Sequence, residues 1–539
     1  MKRIIVVILV LTTILYFVES SDSAGLKDYK PSLTMDHVNN KYLLNWSSIP
    51  YFGYYEVEIL NRIPDIGQYP SPFVPAHRIV KYRTFDNFIT IDQNFPESAY
   101  FRVSAHGLFH HPLGSYSDPL AMTEANFSVD TVQNKPRSLT NYPVAAPAPN
   151  IPMLLWTVLP GAVYYEIELL SALPENPNDI YTSNYQVFFS REVFTNGYSI
   201  DLSTYPSNHL YWRVRALDYD GNPIGVFSDA TEIFIDHSLS QILKPISNTG
   251  YKAANMPMPL YPVYSWIPIA GAATYEVELT TAPPENPNGI QPSRYRIRDQ
   301  LVEMGADCYD EKPLLTPGTY YWRVRGLDQN GSPVGVYSDA ESFVVNRDIG
   351  KYAATFGDSI THGGGAISYS PANVEYSFQT YLSFPTVNLG KSGDTSESML
   401  NRFDADVLPY HPTFLIIMGG SNSLREGIPA SEVIKDLTAI RDKSIAHGIR
   451  PIFLTLPPIN PAAIQQAFNE ETVPNWQKEF AAVNYFIRQQ RYHIDLEPYF
   501  ADGNYALPLR YATDGLHLDI EGKKLMAQII NANWSTVTQ

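Results

Sequence analysis

Through the first two thirds of the chain, apolar and polar side chains alternate with a period of two in short runs bounded by turn residues, which predicts β-strands. These runs recur. Trp46, Trp156 and Trp266 stand 110 residues apart, and ten residues after each comes Glu56, Glu166 or Glu276, inside Tyr-Tyr-Glu-Val-Glu, Tyr-Tyr-Glu-Ile-Glu and Thr-Tyr-Glu-Val-Glu. Each copy carries a second matched run, Tyr100-Phe101-Arg102-Val103-Ser104-Ala105, Tyr211-Trp212-Arg213-Val214-Arg215-Ala216 or Tyr321-Trp322-Arg323-Val324-Arg325-Gly326. A glycine-containing turn and a Ser-Asp pair then follow, Ser117-Asp118, Ser228-Asp229 or Ser338-Asp339. Three copies of one module are present. Strands with one face buried, in units of this length, predict β-sandwiches.

From about Lys351 the pattern changes. Continuous apolar runs over Tyr352 to Phe356, Thr386 to Leu389, Phe414 to Met418, Pro451 to Leu456 and His493 to Leu496 predict five buried parallel strands. Helical stretches lie between them. Ser431 to His447 places Val433, Ile434, Leu437 and Ile440 on one face and stops at Gly448, a carboxyl-cap residue. Strands alternating with helices imply an α/β/α three-layer domain with a five-stranded parallel sheet, flavodoxin-like in plan.

The expected domains are residues 1–24 as a signal peptide, 25–133, 134–238 and 239–347 as three immunoglobulin-like sandwiches, and 348–539 as the α/β domain. The junctions are proline-rich: Tyr142 to Pro152 and Met256 to Pro262 should be edge strands or linkers that resist edge-to-edge pairing. A stalk with limited flexing is the expected arrangement.

Composition narrows the function. With 44% hydrophobic and 17% charged residues the chain is globular, and a net charge of -17 repels phosphate backbones, so nucleic acid is excluded as a partner. The 38 tyrosines and 43 prolines suit sandwich strands and their connections, and exposed tyrosines also suit sugar contact. The single cysteine, Cys308, rules out an intramolecular disulfide and reads as a packing residue. His106, His110 and His111 lie close enough in sequence to hold a metal, but neither a carboxylate nor a cysteine accompanies them. No metal or organic cofactor is implied.

Lys2 and Arg3, the apolar run Ile4 to Val18 and the small polar segment Ser20 to Ala24 have the layout of a secretory signal, and the run is shorter than the roughly 20 residues that span a bilayer. An uncleaved anchor is the alternative. No cysteine follows for lipid attachment. A secreted, cell-surface or periplasmic protein is expected, and export without disulfides suits a bacterial origin.

The chemistry lies in the last domain. Gly357-Asp358-Ser359-Ile360-Thr361 follows the first strand and puts one hydroxyl at the carboxyl edge of the sheet, where open α/β folds keep their active sites. Three further motifs each end a strand or open a helix: Asn388-Leu389-Gly390-Lys391-Ser392-Gly393-Asp394-Thr395, Gly419-Gly420-Ser421-Asn422-Ser423, and Asp514-Gly515-Leu516-His517. A serine hydroxyl becomes nucleophilic when a base takes its proton, and a histidine with near-neutral pKa held in one tautomer by a carboxylate is the natural base. Ser359, His517 and Asp514 fit those roles, with Asp514 able to fold back onto the ring from the same loop.

The four motifs in this order resemble the SGNH (GDSL-type) hydrolases from Lys351 to the carboxyl terminus. The upstream repeats resemble fibronectin type III modules over roughly residues 26–346, the first copy least. The hydrolase resemblance implies acyl transfer through Ser359, Asp514 and His517, with an oxyanion hole formed by the N–H groups of Ser359 and Gly393 and the side-chain amide of Asn422. Gly390 is a competing match for Gly393. Where the family has Gly-x-Asn-Asp, this chain has Ser423, which replaces a structural hydrogen-bonding aspartate.

Neighbouring residues admit plainer roles. Asp358 is a turn and helix cap rather than a third acid, and Asp394 caps the helix beginning near Ser396. His362, one helical turn past the nucleophile, is a weaker base than His517 because no acid partners it. His411, His447 and His493 fall at element boundaries. Gly363-Gly364-Gly365 lacks the Lys-Ser/Thr ending of a phosphate loop and gives backbone room beside the site. The long connection after the fourth strand offers Asn460 and Trp476 as substrate contacts.

The expected function is a secreted serine esterase that removes an acyl group, acetyl for preference, from a polysaccharide or glycoconjugate, with the repeats free to contact polysaccharide or a cell surface. The alternatives are a lipase or thioesterase, and a binding protein whose hydrolase domain is inactive.

Overall fold

The computed structural model describes residues 30–38, 41–47, 53–60, 78–91, 95, 99–107, 112–117, 119–121, 135–251, 254, 256–303 and 305–539. The signal-like leader, His110, His111 and Asp118 lie outside them. The chain divides into two compact units, Met1–Val129 with Glu497–Ala506, and Asp130–Leu496 with Leu507–Gln539.

Each copy of the repeat folds as two antiparallel sheets around one core. In the first, Leu33–Val38, Lys41–Trp46 and Phe88–Ile91 face a sheet built on Gly53–Leu60 and Tyr100–Gly107, with Trp46, Val57, Phe101 and Val103 buried between them. The second and third copies repeat this plan around Trp156 with Trp212 and around Trp266 with Trp322. The repeated tryptophans are thus core residues. His106 stacks on Tyr54 and has its Nε2 3.0 Å from Ser104 Oγ.

The matched strands depart from the simple alternation in one respect: both faces are buried. On the outer face Arg102, Arg213 and Arg323 pair with Glu58, Glu168 and Glu278 at 2.7, 2.7 and 2.6 Å. Phe227 and Tyr337 lie over the arginines of the second and third copies, and the backbone carbonyls of Asn176 and Tyr181, or of Asn286 and Gln291, accept from the guanidinium groups. A loop therefore covers what period-two reading assigns to solvent. The serines of the Ser-Asp pairs also have a purpose: Ser117, Ser228 and Ser338 accept from the N–H groups of Val103, Val214 and Val324, each at 3.0 Å.

The last domain is built on five parallel strands, β1 (Ala353–Gly357), β2 (Val387–Asn388), β3 (Phe414–Met418), β4 (Arg450–Leu454) and β5 (His493–Ile494), in the order β2-β1-β3-β4-β5. All five expected strands are present. Helices α1 (Ser396–Asp406), α2 (Ala430–Ala446), α3 (Trp476–Arg488) and α4 (Ile520–Thr538) accompany them. Helix α2 buries Val433, Leu437 and Ile440 and is followed by Gly448 at φ +73°. Helix α1 is capped by Thr395, whose hydroxyl accepts from the Ser398 N–H, and Asp394 instead accepts from the Ser398 hydroxyl and pairs with Arg402. The cap lies one residue beyond the expected Asp394.

The second and third modules do not form a stalk. Tyr369 and Tyr376, from the connection between β1 and β2, are buried in the core of the second module, and Val374 enters that of the third. The hydroxyls of Tyr165 and Tyr369 are 3.1 Å apart, and Tyr369 also donates to the carbonyl of Leu159. The proline-rich segment Met258 to Pro262 is buried beside β2, where the Leu260 N–H donates to Asn388 O at 2.9 Å. These prolines end ladders against another domain rather than in solvent.

Candidate active site

The strand β1 empties into Asp358, whose carboxylate caps the short helix Ser359–His362 by accepting from the Ile360 N–H. Ser359 is its first residue, so its own N–H has no intrahelical acceptor. From the loop before α4, His517 brings Nε2 to 2.9 Å from Ser359 Oγ and Nδ1 to 2.8 Å from Asp514 Oδ2. The other Asp514 oxygen accepts from the Leu516 and His517 N–H groups at 2.8 and 2.7 Å, and the carboxylate is fully buried. An acceptor-only carboxylate requires Nδ1 to carry the proton, which leaves Nε2 as the acceptor for the serine hydroxyl. The arrangement sets a serine hydroxyl against a histidine nitrogen able to take its proton, which is the geometry a nucleophile and its base require.

Gly393 and Asn422 line the same cleft as Ser359 and His517. Gly393 adopts φ +82°, which only glycine takes freely, and nothing lies within 4 Å of the point a Cβ would occupy. The competing Gly390 is packed against the backbone of Thr361 and His362. Asn422 is oriented from both ends: its Nδ2 donates to Asp394 O at 2.9 Å, and its Oδ1 accepts from Arg425, which in turn pairs with Glu470 at 2.7 Å. The second Nδ2 hydrogen remains for the cleft. Ser423, in the position where an aspartate is usual, accepts from the Ser396 N–H at 3.0 Å and so ties this loop to the start of α1.

His362 is held inside the protein. Its Nε2 lies 2.9 Å from Tyr261 O, and its Nδ1 accepts from the N–H of Ser392 at 3.2 Å. Burial pushes its pKa down to about 4. Both nitrogens are engaged and Ser359 is not among the partners, so His517 is the base that the geometry offers. Behind the triad, Lys523 is fully buried with its Nζ 3.0 Å from Ile360 O, and burial lowers its pKa to about 8 beside Asp519, Asp514 and Asp358. Burial likewise raises Asp358 and Asp519 to about 6.

The cleft has a volume of about 480 Å³. Gly363, Gly364 and Gly365 form part of its lining, the first two at φ +116° and +91°. The N–H groups of Gly364 and Gly365 are taken by Tyr376 O and Tyr369 O, which leaves no phosphate cradle there. Asn460 and Trp476 do not line it. The Asn460 side chain caps the helix Pro461–Phe468, and Trp476 packs inside against Phe480. From this connection Phe468 and Glu470 line the cleft instead. Arg425, Lys523, Asp307 and Tyr309 escape sequence reading. Arg425, three residues past Asn422, offers a signal at helical spacing; the other three are brought near the site by tertiary packing alone.

Residues 355–525 match the GDSL-like Lipase/Acylhydrolase family. The carboxyl-terminal domain is a GDSL (SGNH) hydrolase domain. Among curated proteins, an uncharacterized lipoprotein, YqeF of Bacillus subtilis (strain 168), is 38% identical over 79 residues; the match spans 14% of this chain and 32% of the lipoprotein, under a third of its length. Similar solved structures include a lipase/acylhydrolase from Enterococcus faecalis, 21% identical with a TM-score of 0.29, covering 35% of this chain and 99% of that one. A GDSL-like lipase from Bacteroides thetaiotaomicron is 21% identical with a TM-score of 0.28, covering 34% and 88%. A catalytic mutant of an acetylxylan esterase from Geobacillus stearothermophilus is 17% identical with a TM-score of 0.27, covering 34% and 94%.

Proposed function

We propose that the protein is a serine esterase that removes a short acyl group, acetyl for preference, from a hydroxyl-rich alcohol such as a polysaccharide or glycoconjugate. The observation that carries this reading is the continuous chain Ser359 Oγ, His517 Nε2, His517 Nδ1, Asp514 Oδ2, with spacings of 2.9 and 2.8 Å. In the proposed reaction His517 takes the Ser359 proton as Oγ attacks the ester carbonyl. The tetrahedral oxyanion is met by the Ser359 and Gly393 N–H groups and the Asn422 amide. Collapse breaks the bond to the alcohol, which leaves with the proton from His517. Water, deprotonated by the same histidine, then hydrolyses the acyl-enzyme.

The lining supports a polar alcohol over a long acyl chain. Asp307, Arg425, Glu426 and Glu470 border the cleft beside Tyr309, Tyr369 and Phe468, and laying a fatty chain against these charged groups would take them out of water at a cost in free energy. This weighs against the lipase reading. The intact triad weighs against an inactive binding protein. The repeats are read as fibronectin type III-like sandwiches. The basic and apolar amino terminus, together with a lipoprotein among the relatives, supports export.

The test is hydrolysis of p-nitrophenyl acetate by the wild type and Ser359→Ala. The variant should lose activity to near background while keeping the wild-type fold by circular dichroism. Equal rates would overturn the reading.

A further inference from the structure

The hydrolase cleft is completed by another domain. Strand Asp307–Tyr309 belongs to the third module, where it pairs with Val263–Ile267, and successive side chains of a strand point to opposite faces. Cys308 points into the core of its own module. Asp307 and Tyr309 point the other way and line the cleft that holds Ser359 and His517. Tyr309 is fixed there by an edge contact with His362, the ring centroids 6.0 Å apart at 71°.

Asp307 is in an uncommon position. It is half-buried, yet no lysine, arginine or histidine pairs with it among the described residues, whereas Glu426's neighbour Arg425 is paired with Glu470. Burial pushes its carboxyl up to about 6, with the Ser370 hydroxyl acting in the opposite sense. A ligand that fills the cleft displaces water from this carboxylate, and the displacement costs free energy unless the ligand itself supplies donors to the spare acceptor oxygens. Two kinds of ligand do so, a hydroxylated ring or an organic cation. The neighbouring rings argue for the first. Tyr369 is stacked on Tyr376, 4.4 Å apart at 8°, and its hydroxyl is already bonded to Tyr165 and Leu159; Tyr309 is engaged by His362. The stacked Tyr376 covers one face of Tyr369, so at most one face of that ring is free, whereas a cation cage uses several open faces.

We propose that Asp307 and Tyr309 of the third module form the leaving-group subsite, with the Asp307 carboxylate accepting hydrogen bonds from hydroxyls of a sugar ring whose ester is cleaved at Ser359. This assignment rests on the esterase reading and adds its specificity. A small aryl leaving group has no hydroxyls for this subsite to read.

The experiment uses the full chain, with Asp307→Asn and Tyr309→Phe assayed on p-nitrophenyl acetate, partially O-acetylated cello-oligosaccharides and acetylcholine. Losing hydrogen bonds to a charged acceptor should lower kcat/KM for the oligosaccharide roughly tenfold to a hundredfold in Asp307→Asn, chiefly through KM. Turnover of p-nitrophenyl acetate should stay within about twofold, which also shows that the variant is folded. Equal losses on both substrates, no loss on the oligosaccharide, or wild-type turnover of p-nitrophenyl acetate without any of the oligosaccharide would each overturn the subsite. Preferred cleavage of acetylcholine, lost in Asp307→Asn, would overturn it in favour of a cation site. Failure of the esterase reading itself is a separate result: the wild type would cleave none of the three and resist labelling by a fluorophosphonate.

Discussion

His362 Nε2 donates to the backbone carbonyl of Tyr261 across 2.9 Å. Because a carbonyl can only accept, this bond fixes the neutral tautomer, and Nδ1 is left to receive the Ser392 N–H. Ser392 immediately precedes Gly393. One imidazole therefore links Tyr261 of the third module to the loop that carries Gly393, the proposed oxyanion donor. His362→Phe keeps a planar ring and makes neither bond. It should lower kcat for a short-chain ester about 10- to 100-fold with KM little changed, a fraction of the roughly 10²–10³ for full loss of one donor. Steady-state kinetics on the folded variant check this.

The same residue gives a pH signature. The unfolded imidazole titrates near about 6.5 and the folded one at about 4, because burial disfavours the cation. Between those values the unfolded chain binds the extra proton, so stability falls as pH falls through this window and the loss is complete below it. Compared with His362→Gln, the wild type should lose stability on acidification from about pH 7 to 4. Urea midpoints of the two proteins measured across that range test the sign.

Asp514→Asn should remove the acceptor that holds the His517 Nδ1 proton. In other triads the equivalent change lowers kcat by about 10⁴ with the geometry retained, since the imidazole adopts the wrong tautomer. The same magnitude is expected here, with little change in thermal midpoint.

Asn422 and Arg425 should separate in degree. Asn422→Ala deletes a donor and should lower kcat by about 10²–10³. Arg425→Met leaves the amide in place but frees its Oδ1, so a smaller loss, about tenfold, is expected together with partial recovery in Arg425→Lys. Parallel kinetics on the three variants decide this.

The buried ion pairs of the modules differ in redundancy. Among the described residues Glu168 has Arg213 as its one cation, whereas Glu278 is paired with both Arg323 and Arg296. Removing one partner of a buried pair typically costs about 3–5 kcal/mol because the other charge is stranded. Arg213→Met should therefore lower the unfolding midpoint more than Arg323→Met, as calorimetry would show.

The contacts among Ser359, His517 and Asp514 were legible because these residues are compressed into Gly357-Asp358-Ser359 and Asp514-Gly515-Leu516-His517, each at a strand or helix end that apolar runs predict. The five strands were legible because burial on both faces makes them continuous apolar stretches. Asp394 and Thr395 were confused because either side chain can cap, and the pairing of Asp394 with Arg402 decides between them only in three dimensions. The buried glutamates and arginines of the modules read as solvent-facing, since nothing local announces that Phe227, Tyr337 and a returning loop will cover them. Asp307 and Tyr309 look like ordinary strand residues until the third module is seated on the hydrolase domain.

Tyr369 and Tyr376 complete the core of a module whose strands leave the ribosome long before them. During synthesis the second module must wait with an open side until the start of the hydrolase domain emerges, and a chain stopped short of residue 369 would expose that gap to proteases. The core of the second module and the wall of the cleft thus share Tyr369, so exchanging either half of this unit for another domain would mean replacing the tyrosines that close it.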